Sequence, residues 1–242
     1  MKITFLGTSH GAPELGRYCT SLFIEHNGYG FILDLGAPTE YLLKQKGFEM
    51  DKVKGIFITH MHADHVEALT SVTKSFSVYN TDAEADLFLP ESEAVQPYKA
   101  WISCMHINVP DRLRVNVVKE GVIYDKYGLR VTAIRTEHFS NEIPSYAYFF
   151  EADGKRVLFT GDLAYDYHDY PKIIYTETFD LVVAELTHLS ADKSWNIFDG
   201  TKTKMMIFSH IWPENAEYLG KNAVEFDFPY FVANDGFEYY VV

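Results

Sequence analysis

The chain has 242 residues, of which 47 % are hydrophobic and 23 % are charged, a composition typical of a globular protein with a sizeable core. Acidic residues outnumber basic ones 34 to 21, and the resulting net charge of −13 argues against a surface built to grip nucleic acid or an anionic membrane. The two cysteines, Cys19 and Cys104, form no CxxC pattern, so neither a disulfide framework nor a thiolate zinc site is expected.

The N-terminal sequence MKITFLGTSHG has too short an apolar stretch for a signal peptide, and no other segment approaches the length of a membrane span. A cytoplasmic location is the default prediction. No linker, low-complexity segment or short-period repeat interrupts the chain, which predicts a single domain over residues 1–242.

Strands are predicted where short apolar runs are bounded by glycine, proline or polar turn residues. In chain order they lie at 2–7, 20–25, 30–35, 54–59, 85–90, 113–118, 129–134, 145–152, 155–161, 179–186 and 204–210. Helices are predicted at 38–47, at 65–76, from Glu91 to about Cys104, and between the last two strands. The C-terminal sequence PYFVANDGFEYYVV predicts a closing pair of strands around Asp235-Gly236. The mixture indicates a layered α/β or α+β domain with helices covering sheets.

Residues 58–65 read ITHMHADH and follow an apolar run directly. His60 and His62 point to the same side of an extended segment, because side chains repeat every two residues. Asp64 and His65 fall where the following helix should begin, so four donors converge on one small volume. Nitrogen and oxygen donors at this density suit a divalent transition metal such as zinc. The alternative is a surface histidine run, but such runs rarely alternate as HxHxDH.

Four further strands end in a residue that could bind a metal. These residues are Asp34 in FILDLG, His138 in IRTEH, Asp162 in VLFTGD and His210 in MMIFSH. Any one of them alone would more often be a turn or capping residue. Beside the HxHxDH motif, the four together indicate one site that is assembled from several strand ends.

This ordered set of motifs resembles the metallo-β-lactamase superfamily from the first strand to the last. The resemblance implies a four-layer αββα sandwich of two similar halves, with the site at one edge between the sheets. It also implies a role for each donor. One metal would be held by His60, His62 and His138, the second by Asp64, His65 and His210, with Asp162 bridging both and Asp34 orienting a ligand histidine.

Differences between this sequence and individual branches of the superfamily narrow the range of expected activities. True β-lactamases of the commonest type carry a cysteine ligand and a secretion signal, which this chain lacks. The oxygen-reducing branch has glutamate at the position of His62, and glyoxalase-type thioesterases usually have a glycine pair where this chain reads DHVEAL. None of these three branches matches the sequence as well as the ribonuclease Z branch does.

Two segments are similar to the ribonuclease Z branch and its small phosphodiesterase relatives. FLGTSHGAPELGRYCTS matches that branch's first strand and loop, and VVAELTH (182–188) matches its HEAT segment, with Glu185 in the corresponding place. The branch also has a long basic arm that grips transfer RNA, of which this sequence shows no sign. It has a separate histidine before the last ligand, and the nearest histidine here is His188.

Two divalent ions about 3.5–4 Å apart can share a water, lower its pKa toward neutrality and clamp an anionic oxygen. The sequence therefore predicts a dinuclear metal-dependent phosphodiesterase that uses a metal-bridging hydroxide, with zinc as the expected metal and manganese or iron as alternatives. A hydrolase of lactones, thioesters or carbon esters at the same site is the second hypothesis, and a non-catalytic metal-binding scaffold is the third. The expected partner is a small anionic substrate and not a membrane. Nucleic acid is disfavoured by the net charge, and a homodimer is left open.

Asp64, Glu185 and His188 are the candidate catalytic residues. Glu185 and His188 could act together as a proton donor to the leaving oxygen; alternatively, Glu185 is a structural carboxylate and His188 caps a loop. His10 lies in a glycine-containing loop that either offers backbone N–H groups to a phosphate or is a plain turn. Four residues follow ligand strands and either line the substrate cleft or pack in the core: Tyr165, Tyr167, His168 and Trp212.

Overall fold

The computed structural model describes residues 1–139, 142–222 and 226–242, with the backbone alone for Trp195. Its first sheet contains β1 (Lys2–Gly7), β2 (Ser21–His26), β3 (Tyr29–Leu33), β4 (Val53–Phe57), β5 (Ala85–Leu89), β6 (Leu113–Val117) and β14 (Glu238–Tyr240). The strands lie in the order β14-β1-β2-β3-β4-β5-β6. From β3 to β6 they are parallel, so their carboxyl ends meet at one edge.

The second sheet is built almost entirely from the second half of the chain. It contains β7 (Gly121–Lys126), β8 (Leu129–Thr136), β9 (Ser145–Ala152), β10 (Lys155–Phe159), β11 (Leu181–Leu186), β12 (Met206–Ile211) and β13 (Tyr230–Val232). Their order is β13-β12-β11-β10-β9-β8-β7, and β10 to β13 are parallel. The two sheets therefore repeat one pattern, an antiparallel part followed by four parallel strands.

Helices cover the outer face of each sheet. The first sheet carries α1 (Thr39–Gln45), α2 (Ala63–Val66), α3 (Leu69–Lys74) and α4 (Val95–Cys104), and the second carries α5 (Ala191–Phe198) and α6 (Pro213–Lys221). One apolar cluster joins the helices to the first sheet, another joins them to the second, and a third lies between the sheets. These layers confirm the predicted αββα sandwich.

Phe57, at the end of β4, anchors the strand that leads into the HxHxDH motif. Its fully buried ring contacts the rings of Phe88 and Phe150, at centroid distances of 5.1 and 5.4 Å. The Tyr148 hydroxyl of the second sheet donates a hydrogen bond of 2.8 Å to the Ile58 carbonyl. Burial of a phenylalanine side chain contributes about 1.5–3 kcal/mol, so the strand end is held firmly between the sheets.

Gly36 allows the loop after β3 to pass against α2, the helix that carries Asp64 and His65. A Cβ atom on Gly36 would lie 1.8 Å from the Asp64 carbonyl oxygen, so only glycine fits there. The neighbouring Leu35 N–H donates to the His65 carbonyl at 2.8 Å, and Ala68 N–H donates to the Leu35 carbonyl at 2.7 Å. These two hydrogen bonds fix the position of the loop after β3 against α2.

Most of the predicted elements are confirmed, but two elements in the described part of the chain were not predicted. Strand β7 was not predicted, because Tyr124 is its only buried residue and its sequence has little apolar pattern. Helix α6 was also not predicted, although it begins with proline in its first turn. The predicted helix at 65–76 is interrupted: α2 ends at Val66, and α3 begins at Leu69.

The prediction of a closing strand pair around Asp235-Gly236 was wrong in its pairing. Strand β13 pairs with β12 in the second sheet, whereas β14 pairs with β1 in the first. The turn between them crosses from one sheet to the other, and the Asp235 carboxylate accepts hydrogen bonds from the Thr8 hydroxyl and the Tyr18 N–H. A turn signal in the sequence shows where the chain bends but not which strand is the partner.

Cys19 and Cys104 are both free thiols, the first buried and the second exposed. Among the described residues, no helix has the length and apolar character needed to cross a membrane. The assignment of residues 1–242 to a single domain stays a prediction.

Candidate metal centre

The structure brings all seven predicted metal ligands together where the strand ends of the two sheets meet. They fall into two sets, in each of which the donor atoms lie within 4.8 Å of one another. We call them the His60 group (His60, His62, His138 and Asp162) and the His65 group (Asp64, His65 and His210). The three histidines of the first group and the three residues of the second are the sets that were predicted to share an ion, whereas Asp162, predicted to bridge both ions, falls in the His60 group.

Asp162 lies between the two groups. Its carboxylate is 3 % exposed; Oδ1 is 3.3 Å from His65 Nε2, and Oδ2 is 3.6 Å from His60 Nε2. Oδ2 is also 3.3 Å from His210 Nε2. One carboxylate therefore faces histidines of both groups, which is the placement that a bridging ligand requires.

Hydrogen bonds on the far side of the rings fix the histidine orientations. His138 Nδ1 donates to the Leu163 carbonyl at 3.0 Å, and His210 Nδ1 donates to the Ser9 carbonyl at 3.0 Å. In both rings Nε2 is left facing the site, as metal ligation requires.

Asp34 lies outside both groups, behind the His65 ring. Its Oδ2 accepts a hydrogen bond of 2.8 Å from His65 Nδ1, which leaves His65 Nε2 facing the site. Asp34 and His210 have φ angles of 59° and 54°, in the left-handed region that costs roughly 1–2 kcal/mol for a residue with a Cβ. Both side chains are therefore held in place at some expense of backbone energy.

The donors fit a divalent metal ion. His65 Nε2 and Asp162 Oδ1 are buried 3.3 Å apart, and neither atom makes a well-aligned hydrogen bond with a described residue. His62 Nδ1 lies 3.0 Å from His60 Nε2 and 3.2 Å from His138 Nε2, so three ring nitrogens face one another. A cation would satisfy these atoms together, and nitrogen and oxygen donors without sulfur suit zinc, manganese or iron.

The metal-free histidines differ in protonation. Burial lowers the pKa of His60 well below its usual value. Burial acts in the same direction on His65, but the carboxylates of Asp162 and Asp34 outweigh it and hold the pKa of His65 well above the usual value. For His210 burial is again outweighed by Asp162, and the pKa is raised.

A cleft with a volume of about 300 Å³ opens over both groups. It is lined by Gly11, His62, Asp64, Asp162, Tyr165, Thr187, His188, His210 and Trp212. A larger apolar cavity of about 630 Å³ adjoins it and shares Gly11 and Asp64 with the cleft; the sequence did not indicate it.

Four residues had been left open between lining the cleft and packing in the core, and two of them line the cleft. Tyr165 and Trp212 are 74 % and 42 % exposed on its wall. Tyr167 is buried instead and donates a hydrogen bond of 2.9 Å to Glu185 Oε2. His168 is exposed on the surface and pairs with Glu137, so it is not part of the cleft.

The ring of His10 stacks on Trp212, with ring centroids 3.8 Å apart.

Glu185 and His188 form a hydrogen-bonded pair at the edge of the cleft. Glu185 is 3 % exposed, and its Oε1 accepts from His188 Nδ1 at 2.8 Å and from the Leu163 N–H at 2.8 Å. His188 Nε2 faces the cleft, 3.8 Å from Asp162 Oδ2. Burial acts to lower the pKa of His188, but the hydrogen bond that His188 donates to the Glu185 carboxylate outweighs it and raises that pKa to about 9.

Thr59 and Phe139 neighbour the predicted ligands but were not themselves among the predicted site residues. The Thr59 hydroxyl lies within hydrogen-bond distance of Asp34, His60 and His65. The Phe139 ring packs on the His62 ring at a centroid distance of 4.4 Å. Each directly adjoins a ligand in the sequence, which is the one signal that could have identified them.

The fold is the metallo-β-lactamase fold, as the resemblance in the sequence implied. The structure resembles the metallo-β-lactamase fold protein YhfI from Bacillus subtilis, with a TM-score of 0.78 at 15 % identity over 98 % of each chain. It also resembles the short form of human tRNase Z, with a TM-score of 0.75 at 17 % identity over the whole of both chains. Zn²⁺-bound PqqB from Methylobacterium extorquens gives a TM-score of 0.70 at 15 % identity, covering 99 % of each chain.

Residues 1–195 match the family described as "Anti-Pycsar protein Apyc1", and the chain belongs to that family. Among curated relatives, ribonuclease Z from Picosynechococcus sp. is 30 % identical over 141 residues, which is 57 % of this chain and 44 % of the relative. Ribonuclease Z from Crocosphaera subtropica is 29 % identical over 150 residues, 61 % of this chain and 47 % of the relative. The chain thus spans about half the length of these relatives, which belong to the predicted class of hydrolases.

We predict that zinc uptake by the metal-free protein at pH 7 releases protons. The raised pKa of His65 keeps its Nε2 protonated at that pH, and a metal must displace this proton to reach the nitrogen. We would measure the binding enthalpy by calorimetric titration in two buffers with different ionisation enthalpies. The difference between the two binding enthalpies, divided by the difference between the two ionisation enthalpies, should correspond to about one proton or more released per chain. Equal enthalpies in the two buffers would show that His65 is already neutral or takes no part in binding.

Proposed function

We propose that the protein is a dinuclear metal-dependent phosphodiesterase that acts on small phosphodiesters. The observation that carries this proposal is the position of Asp162, which faces both ligand groups from within the cleft. Phosphodiester hydrolysis needs two oxygens stabilised at once, the attacking and the leaving one, and paired metals serve that requirement.

In this proposal His60, His62 and His138 hold one ion, Asp64, His65 and His210 hold the other, and Asp162 contributes to both. Zinc is the expected metal, because imidazole predominates among the donors. One structural neighbour, PqqB, is a Zn²⁺-bound protein, which supports this choice. Bound divalent ions would lower the pKa of a water molecule and neutralise charge on the phosphate.

The chain's own residues supply the proton transfers. Asp64 lines the cleft with one carboxylate oxygen 3.4 Å from His65 Nε2, and it is placed to accept a proton from the attacking water. His188 faces the cleft with Nε2, while Glu185 holds its Nδ1–H, so its Nε2–H is available to the leaving oxygen. Glu185 also binds backbone N–H groups, so it combines the structural and the orienting roles.

Two comparisons favour a phosphodiester over a carbon ester. The curated relatives are named as ribonucleases, and the structural neighbours include a tRNase Z. The net charge of −13 favours a small substrate over structured RNA, because RNA binding depends on many contacts from Lys and Arg to phosphates. The cytoplasmic location stays a prediction, and the oligomeric state stays open.

The proposal is tested with metal-loaded protein and a matched set of substrates. We expect kcat/KM for a small aryl or cyclic phosphodiester to exceed that for a transfer-RNA precursor, and lactone and thioester reporters to be poor substrates. Asp162→Ala should remove activity together with metal, whereas Asp82→Ala, at an exposed aspartate away from the cleft, should change neither.

A strong preference for the lactone or thioester would replace the phosphodiesterase proposal with the carbon-ester one. A preference for the RNA that disappears with salt would show that a basic face exists despite the net charge.

A second prediction concerns His188. Replacing it with Ala should lower kcat by about 10²–10⁴-fold on diesters with poor leaving groups, because general acid catalysis matters most there. The loss should be much smaller for a good leaving group such as nitrophenolate, and the metal content should not change. His106→Asn, at an exposed histidine in the loop after α4, is the control. An equal loss on both types of substrate would assign His188 to binding or structure instead.

A further inference from the structure

Thr59 joins the two ligand groups to each other. Its backbone N–H donates to Asp34 Oδ1 at 2.8 Å, and its hydroxyl donates to Asp34 Oδ2 at 2.8 Å. The same hydroxyl oxygen lies 3.1 Å from His60 Nδ1. Asp34 Oδ2 also accepts a hydrogen bond from His65 Nδ1. A chain of hydrogen bonds therefore runs from His60 through Thr59 and Asp34 to His65, from one ligand group to the other.

The direction of each hydrogen bond in this chain follows from the number of available protons. A hydroxyl has one proton, and an ionised carboxylate can only accept, so the proton of Thr59 goes to Asp34. Toward His60 the Thr59 oxygen can then only accept. His60 must therefore carry its proton on Nδ1, and the lone pair is left on Nε2, the atom that faces Asp162 at 3.6 Å.

The rest of the Thr59 residue is held by the second sheet. Its carbonyl accepts a hydrogen bond of 3.0 Å from the Tyr146 N–H. Its methyl group lies against Gly161, where an added Cβ would be only 3.1 Å away. Gly161 directly precedes Asp162, so the residue that orients His60 also packs against the backbone of the residue between the two groups.

We propose that Thr59 is a positioning residue that sets the tautomer of His60 and, through the shared Asp34 carboxylate, links the two metal sites. This inference rests on the proposed ligand roles of His60 and His65. Loss of the hydroxyl affects His60 most, because the Thr59 oxygen is the acceptor for its Nδ1–H. His65 keeps its direct hydrogen bond to Asp34 and is affected less.

The first test uses the metal-free protein and does not depend on any enzymatic activity. Long-range ¹H–¹⁵N correlation spectra of the histidine side chains report which ring nitrogen carries the proton. In the unmodified protein and in Thr59→Ser, His60 should be the Nδ1–H tautomer. In Thr59→Val, which keeps the shape but lacks the hydroxyl, the His60 signal should shift toward the other tautomer or a mixture. An unchanged His60 tautomer in Thr59→Val would overturn the proposal.

The second test measures metal affinity by titration with zinc against a competing chelator. Loss of a hydrogen-bond partner behind a ligand histidine typically weakens binding by about 10–100-fold, and Thr59→Val should show this loss at one of the two sites, with a smaller loss at the other. Thr59→Ser should restore the affinity. Thr73→Val is the matched control, because Thr73 is fully buried and its hydroxyl forms a hydrogen bond with that of Tyr98, between α3 and α4 on the outer face of the first sheet. It should leave both affinities unchanged.

The outcomes separate this inference from the proposed function. If Thr59→Ser binds zinc as weakly as Thr59→Val, the methyl packing and not the hydroxyl matters, and the inference is wrong. If the tautomer and affinity effects appear as expected but no phosphodiester is hydrolysed, the proposed function fails and the inference stands. If the unmodified protein binds no metal, the ligand roles fail, and with them the claim that Thr59 links two metal sites.

Discussion

The site depends on one buried carboxylate that faces imidazoles from several strands. Asp162 is 3 % exposed and lies within 4 Å of His60, His65 and His210. Burial acts to raise the pKa of this carboxyl group, but the three histidines outweigh it and hold that pKa well below its usual value. Without this negative charge, protonated imidazoles so close together would repel one another. The charge balance at Asp162 is therefore what allows the ligands to gather.

The fold provides the rigidity that this crowded arrangement needs. Polar groups without partners are costly in a buried site, so the surrounding layers must stabilise it. Phe57 fixes the end of β4 between the sheets, and Gly36 lets the loop after β3 dock on the helix that carries Asp64. Because each sheet has four parallel strands whose carboxyl ends point to the same edge, donors that are far apart in sequence arrive at one place.

The sequence was sufficient to predict the ligand cluster. HxHxDH after a buried strand is a local pattern that by itself indicates a metal site, and the repeated placement of Asp34, Asp162 and His210 at strand ends extended it. The αββα arrangement followed from the resemblance that these motifs carry. Local patterns in the chain thus indicated which residues gather, and the resemblance supplied the fold; the structure brings those residues together in that fold.

The features that the sequence did not specify depend on contacts between distant parts of the chain. The strands around Asp235-Gly236 lie in different sheets because their partners, β1 and β12, lie far apart in the sequence. Tyr167 lies in the core, where its hydroxyl meets Glu185, 18 residues further along the chain, and its backbone has a left-handed φ angle that tyrosine rarely adopts. A threonine before a histidine motif has no evident role until the fold places Asp34 beside its hydroxyl.

The central claim is that the two ligand groups hold two metal ions with Asp162 between them. Anomalous diffraction from crystals of the zinc-loaded protein tests it most directly. The claim predicts two zinc peaks about 3.5–4 Å apart, one beside the histidines of the His60 group and one beside the His65 group, with an Asp162 oxygen in contact with each. A single peak, or a second peak away from Asp64, His65 and His210, would contradict it.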